Sequence, residues 1–147
     1  MTTAPVLTAD DLDVAVRLRT LVTRLNRKLR QQALGSVSPA QASLLAMADR
    51  LGSPTLGELA RAEQIQPPTT TRLVGTMVEA GLLARFEEPS DRRISRVRLT
   101  PAGRRELDRI RKLKTAYLVE QIGSLDGADR ARVAELVDLL ERLAEGV

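Results

Sequence analysis

At Gly81 the spacing of apolar residues changes, and that change constrains the fold of this chain more than any other feature. Before it, apolar residues recur at intervals of three and four, the helical period. Leu82–Glu87 then reads as a strand, and Ile94–Leu99 alternates, with Val97 and Leu99 on one face and Arg96 and Arg98 on the other. Between them, Glu88–Arg93 is rich in turn formers and charge, which predicts a loop of about six residues. From Thr100 onward the helical period returns. The expected architecture is mostly α with a small β-hairpin.

Start and stop signals divide the helical remainder. Residues 8–33 read as one long amphipathic helix, with Thr8 as its cap, Asp10 and Asp11 at its positive end, and apolar Val14, Leu18, Leu21, Val22, Leu25 and Leu29. Ser38-Pro39-Ala40-Gln41 and Thr55-Leu56-Gly57-Glu58 are capping boxes that open two short helices. Pro67-Pro68 can open a helix but not continue one, so a third short helix runs from there to about Ala80. Thr100-Pro101 opens a helix reaching about Ile122, and a last one, reaching about Glu145, carries a stripe of Val133, Leu136, Val137, Leu140 and Leu143. The order is long helix, three short helices, hairpin, two helices.

Composition narrows the chemistry. The 147 residues hold no Cys, His or Trp, and only Phe86 and Tyr117 are aromatic. Thiolate and imidazole chemistry are thereby excluded, with Cys- or His-ligated metals and any triad containing His. No metal or resident cofactor is expected. No carboxylate pair has a recognisable catalytic spacing and there is no Gly-rich phosphate loop, so the chain does not read as an enzyme. No apolar run approaches the ~20 residues that span a bilayer, and the N-terminus lacks a secretory pattern. A cytoplasmic protein of one domain, residues 1–147, is the expectation.

The 23 basic and 19 acidic residues give a net charge of only +4, but the charge is unevenly placed. Residues 92–114 carry 10 basic and 2 acidic groups, a local +8. Such a block is either a solvated face or a footprint for a polyanion. With almost no aromatics to stack on single-stranded bases, duplex DNA is the favoured polyanion.

Two short helices joined by a tight turn and followed by a hairpin describe a winged helix-turn-helix, expected here over residues 36–100. In such modules the second helix enters the major groove and the hairpin, or wing, reaches the adjacent minor groove or the phosphates. The recognition helix would present Pro68, Thr69, Thr70, Thr71 and Arg72. Threonine methyls can pack on thymine and Arg can take guanine bidentately. Two readings of these residues remain open: the threonines serve as caps and surface, and Arg72 pairs with Asp91 instead of a base. Arg92 and Arg93 would sit at the wing tip. Arg104, Arg105, Arg109, Arg111 and Lys112 on the following helix read as mostly solvent-facing.

The stretch from Ala42 to Gly103 resembles a MarR-family transcriptional regulator. The resemblance lies in Thr55-Leu56-Gly57-Glu58-Leu59-Ala60, Thr69-Thr70-Thr71-Arg72-Leu73-Val74, Glu79-Ala80-Gly81-Leu82-Leu83, and above all Asp91-Arg92-Arg93 followed by Leu99-Thr100-Pro101-Ala102-Gly103. It implies a homodimer whose dimerisation region is built from residues 8–33 with 101–145, where Leu18, Val133, Leu136, Leu140 and Leu143 are the candidates. It also implies that Arg93 contacts the minor groove and that Asp91 braces the wing or its arginine; Arg96, on the polar face of the second strand, is the other candidate support of the wing. Gly75 departs from the family pattern, which favours a polar residue there. A ligand-responsive repressor on a pseudo-palindromic operator is implied, with a small phenolic or anionic effector held between the two regions by the first, second and fifth helices, for which Arg17, Arg24 and Met47 are candidates. Without Cys, thiol oxidation is not the sensing chemistry. The competing reading is a winged-helix adaptor whose basic wing meets an acidic protein.

Overall fold

The computed structural model describes residues 8–33 and 35–146. Its elements are α1 (Ala9–Gln32), α2 (Pro39–Leu51), α3 (Leu56–Glu63), α4 (Pro67–Glu79), β1 (Leu83–Glu88), β2 (Asp91–Leu99), α5 (Pro101–Gly123) and α6 (Gly127–Glu145). The helix starts follow the capping chemistry. Thr8, Ser38 and Thr55 each form a complete capping box, Thr100 accepts from the Gly103 amide, and Asp126 accepts from the Asp129 amide. The last helix, α6, begins at Gly127 behind the Asp126 cap.

One core joins the middle of the chain. Leu44, Leu45 and Ala48 of α2, Leu59 of α3, Val74 and Met77 of α4, Leu83 of β1, Val97 of β2 and Leu107 of α5 are all buried in a single cluster. Alternation thus places Val97 inward, and helical spacing brings the short helices onto the same apolar face. The α2–α3 loop lies along β2, where the Val97 amide donates to the Pro54 carbonyl at 2.9 Å. The chain then turns into α5 at a close approach. The Thr100 hydroxyl donates to the Gly81 carbonyl at 2.5 Å, and its amide donates to the Leu82 carbonyl at 3.1 Å. A Cβ at Gly103 would collide with that Leu82 carbonyl, so only glycine fits the first turn of α5.

The hairpin is tighter than its sequence suggests. β1 and β2 pair from Leu83↔Leu99 to Glu88↔Asp91, leaving only Pro89 and Ser90 as the turn. Four of the six residues expected in the loop, Glu88, Asp91, Arg92 and Arg93, are instead in the strands. Glu87 faces Ser95 while its neighbour Glu88 faces Asp91, so Arg92, Arg93 and Ile94 form a bulge in β2.

Outside the core, the long helices bury little. Neither α1 nor α6 contains a buried residue. Leu12, Val14, Leu21, Val22 and Leu25 of α1 are exposed, as are Leu136, Val137, Leu139 and Leu143 of α6. A small second cluster of Ala33, Val37 and Ile110 ties the end of α1 to α5. No helix among the described residues is long and apolar enough to cross a membrane.

Candidate nucleic-acid interface

α4 presents only part of the expected residue set. Pro68, Thr71 and Arg72 are exposed and Thr69 is half-buried. Thr70 is a correction: it is fully buried, one turn before Val74, and its hydroxyl is directed at the Gln66 carbonyl at 3.3 Å. Thr70 shares the inward face with Val74 and Met77, at spacings of four and seven, so it cannot face a groove. The Thr71 hydroxyl donates to the Pro67 carbonyl at 3.0 Å, leaving its methyl and oxygen lone pairs as what it offers outward. Arg72 forms no ion pair among the described residues, so the pairing with Asp91 is not present.

The bulge builds the wing around one arginine. The Asp91 carboxylate accepts the Arg93 backbone amide at 3.1 Å and takes its guanidinium bidentately, with Nε and Nη2 each at 2.9 Å. The Arg93 side chain is nonetheless 91% exposed. Arg carries five N–H donors, so the edge not facing Asp91 remains free to bind an anion. The guanidinium beside it holds the Asp91 carboxyl below its ordinary value. Arg92 is exposed beside it, and the Arg98 guanidinium lies 5.0 Å from the centre of the Phe86 ring.

Arg96 fastens the wing to the helices. Its Nε pairs with Glu88, its Nη1 donates to the Ser53 carbonyl at 2.9 Å, and the same nitrogen lies 3.7 Å from Glu58. Glu58 is also the capping-box partner of the Thr55 amide, and that bond lowers its pKa first, with the Arg96 charge contributing. One residue therefore links the strand, the α2–α3 loop and the start of α3.

The basic block on α5 is less free than its composition suggests. Asp49 of α2 pairs with both Arg104 and Arg111, the second at 2.9 Å, and the Arg104 hydrogen bond is the main reason its carboxyl is held low. Glu106 takes Arg109 bidentately at 2.8 and 2.9 Å. Arg104 and Arg111 are exposed as expected and Arg109 is half-buried, yet all three are engaged in intramolecular ion pairs. Nothing local in the sequence marks the Asp49 pairs, which span 55 and 62 positions.

A cavity of about 280 Å³ opens where α1, α2 and α5 meet. Ala33, Val37 and Ile110 give it an apolar side, while Arg30, Lys114, Asn26, Ser38 and Ser43 give it a polar, cationic one. Arg17, Arg24 and Met47 do not line it. The expected dimer residues lie on outer helix faces, with Leu18, Val133 and Leu140 half-buried and Leu136 and Leu143 exposed.

Two helices, a hairpin fastened across them and a clamped arginine on that hairpin define a winged helix-turn-helix. The family model described as MarR family matches residues 37–95. A solved structure from Pseudomonas aeruginosa, assigned as a transcriptional regulator, is 35% identical over 95% of this chain and 100% of that one, with a TM-score of 0.83. Among curated relatives, an HTH-type transcriptional regulator of Mycobacterium bovis, Mb0904, is 29% identical over 92% of this chain and 95% of its own. The Bacillus subtilis transcriptional repressor MdtR is 24% identical over 93% and 90%. A Staphylococcus aureus MepR mutant, solved bound to an oligodeoxyribonucleotide, shares the fold at 18% identity and TM-score 0.69, over 88% of this chain and 97% of that one. The chain belongs to the MarR family, whose members are DNA-binding transcriptional regulators and not enzymes.

Proposed function

We propose that the protein is a homodimeric repressor that holds a pseudo-palindromic operator between two winged helices and releases it when a small ligand binds. The observation that carries this reading is the uncovered apolar surface of α1 and α6. Leu12 is 68% exposed and Leu143 61%, on helices that contain no fully buried residue in the single chain. Contiguous apolar helix faces of this kind are covered in solution, and a two-fold partner covers both at once. Leu18, Val133, Leu136, Leu140 and Leu143 are the residues we assign to that interface.

The dimer sets the DNA geometry. Two α4 helices entering successive major grooves suit half-sites ~10 bp apart. Pro68, Thr69, Thr71 and Arg72 face the bases, and Arg92 and Arg93 reach the flanking minor groove. Asp91 holds Arg93 in place before DNA arrives, which reduces the entropy lost on binding. The MepR–DNA complex supports contact through this module, and the name of MdtR supports repression.

The cavity between α1, α2 and α5 is our effector site. Its apolar side and its Arg30 and Lys114 cations suit a small aromatic carboxylate or phenolate. Such a ligand shifts the balance of states only if it binds the DNA-incompetent arrangement more tightly. Binding-site selection from random duplex DNA, followed by sedimentation of the complex, tests the proposal. Two chains on an inverted repeat, released more readily with salicylate and not so in the Lys114→Ala variant, are expected; a single chain on an asymmetric site overturns it.

A further inference from the structure

We propose that Gln66 reads an adenine in each half-site, an inference that rests on the DNA-binding role of α4 given above. Every other helix start is closed by a hydroxyl or carboxylate side chain: Thr8, Ser38, Thr55, Thr100 and Asp126 each accept an amide from the first turn. α4 alone starts on a glutamine, and Gln66 makes no side-chain capping bond. Replacing a good cap forgoes stability, so a residue that leaves its helix uncapped points to another use for the side chain.

The following residues say what that use is. Pro67 and Pro68 have no N–H, and the Thr70 amide already donates to the Gln66 carbonyl at 3.0 Å. Of the four amides that ordinarily make a helix start an anion site, only those of Gln66 and Thr69 remain. The entry of α4 is therefore a poor backbone cradle for phosphate. It instead offers an exposed carboxamide with a donor and an acceptor, next to the exposed pyrrolidine of Pro68. A phosphate uses donors alone. Adenine in the major groove presents an acceptor at N7 and a donor at N6, and a carboxamide satisfies both.

The Gln66 amide hydrogen bonds nothing in the described structure, so Gln66→Ala is expected to fold with unchanged thermal stability. In selection from random duplex DNA, the native chain returns an A·T pair at one symmetric position of each half-site. Gln66→Ala loses preference at that position by about tenfold and keeps it at the others. Its salt dependence is unchanged, because no phosphate contact is lost. With 7-deazaadenine at that position, the native chain binds several-fold more weakly and Gln66→Ala is indifferent. An unchanged consensus, or an equal loss of affinity for every sequence, overturns the assignment of Gln66 while leaving the DNA reading intact. Failure of the native chain to retain any duplex overturns both.

Discussion

Arg93 and Asp91 sit two positions apart and form a closed unit, in which the carboxylate fixes both the backbone and the guanidinium of the arginine. Replacing Arg93 by Ala removes the ligand group, whereas Asp91→Ala leaves the group but frees it. DNA affinity is expected to fall by an order of magnitude or more in the first and several-fold in the second, with the melting temperature unchanged in both; fluorescence anisotropy on a selected duplex measures the order. Thr70 makes the opposite case. Sequence pattern placed three consecutive threonines at the groove, but consecutive helical residues point 100° apart, and only the core decides which one turns inward. Thr70→Val, close in shape and lacking a hydroxyl that contributes only a long bond, is expected to leave operator affinity within twofold.

At the scale of elements, the helix starts were legible because caps and prolines are local signals, and the wing was legible as a hairpin but not in the shape of its tip. Six residues between two apolar runs look like a loop, yet the backbone hydrogen bonds of a bulged ladder draw Asp91, Arg92 and Arg93 into β2. The ties of α5 to α2 were equally invisible, since Asp49 meets Arg104 and Arg111 only after folding. Two glycines separate the roles such residues play. A Cβ at Gly75 meets nothing within 4 Å, so Gly75→Ala is expected to stabilise α4 by about 1 kcal/mol. At Gly103 the Cβ meets the Leu82 backbone, and Gly103→Ala is expected to destabilise by more than about 2 kcal/mol. Urea unfolding distinguishes the two. The lowered carboxyls of Asp49, Glu58 and Glu106 give a sign to acid sensitivity. Each binds its proton less readily folded than unfolded, so its contribution is complete above the ordinary carboxylate range and is lost as pH falls through the lowered value. The melting temperature is expected to drop on acidification through that range, and less so in Asp49→Asn.

For the molecule as a whole, the mild net charge of +4 conceals a division of labour. Arg104 and Arg111 tie α5 to α2, Arg109 is taken up by Glu106 of its own helix, and Arg92, Arg93 and Arg72 stay available at the surface. Operator affinity is therefore expected to fall steeply with salt, and the slope to lessen by about one for each of Arg92 and Arg93 that contacts a phosphate. The α1 and α6 faces complete the account, since their apolar stripes were readable from spacing and the proposed dimer gives them a partner. Sedimentation equilibrium of the protein with a selected duplex tests the central claim most directly. Two chains per inverted repeat, with Leu136→Glu/Leu143→Glu abolishing both the dimer and high-affinity binding, is the predicted result. One chain per duplex, bound as tightly by that double variant as by the native protein, would contradict it.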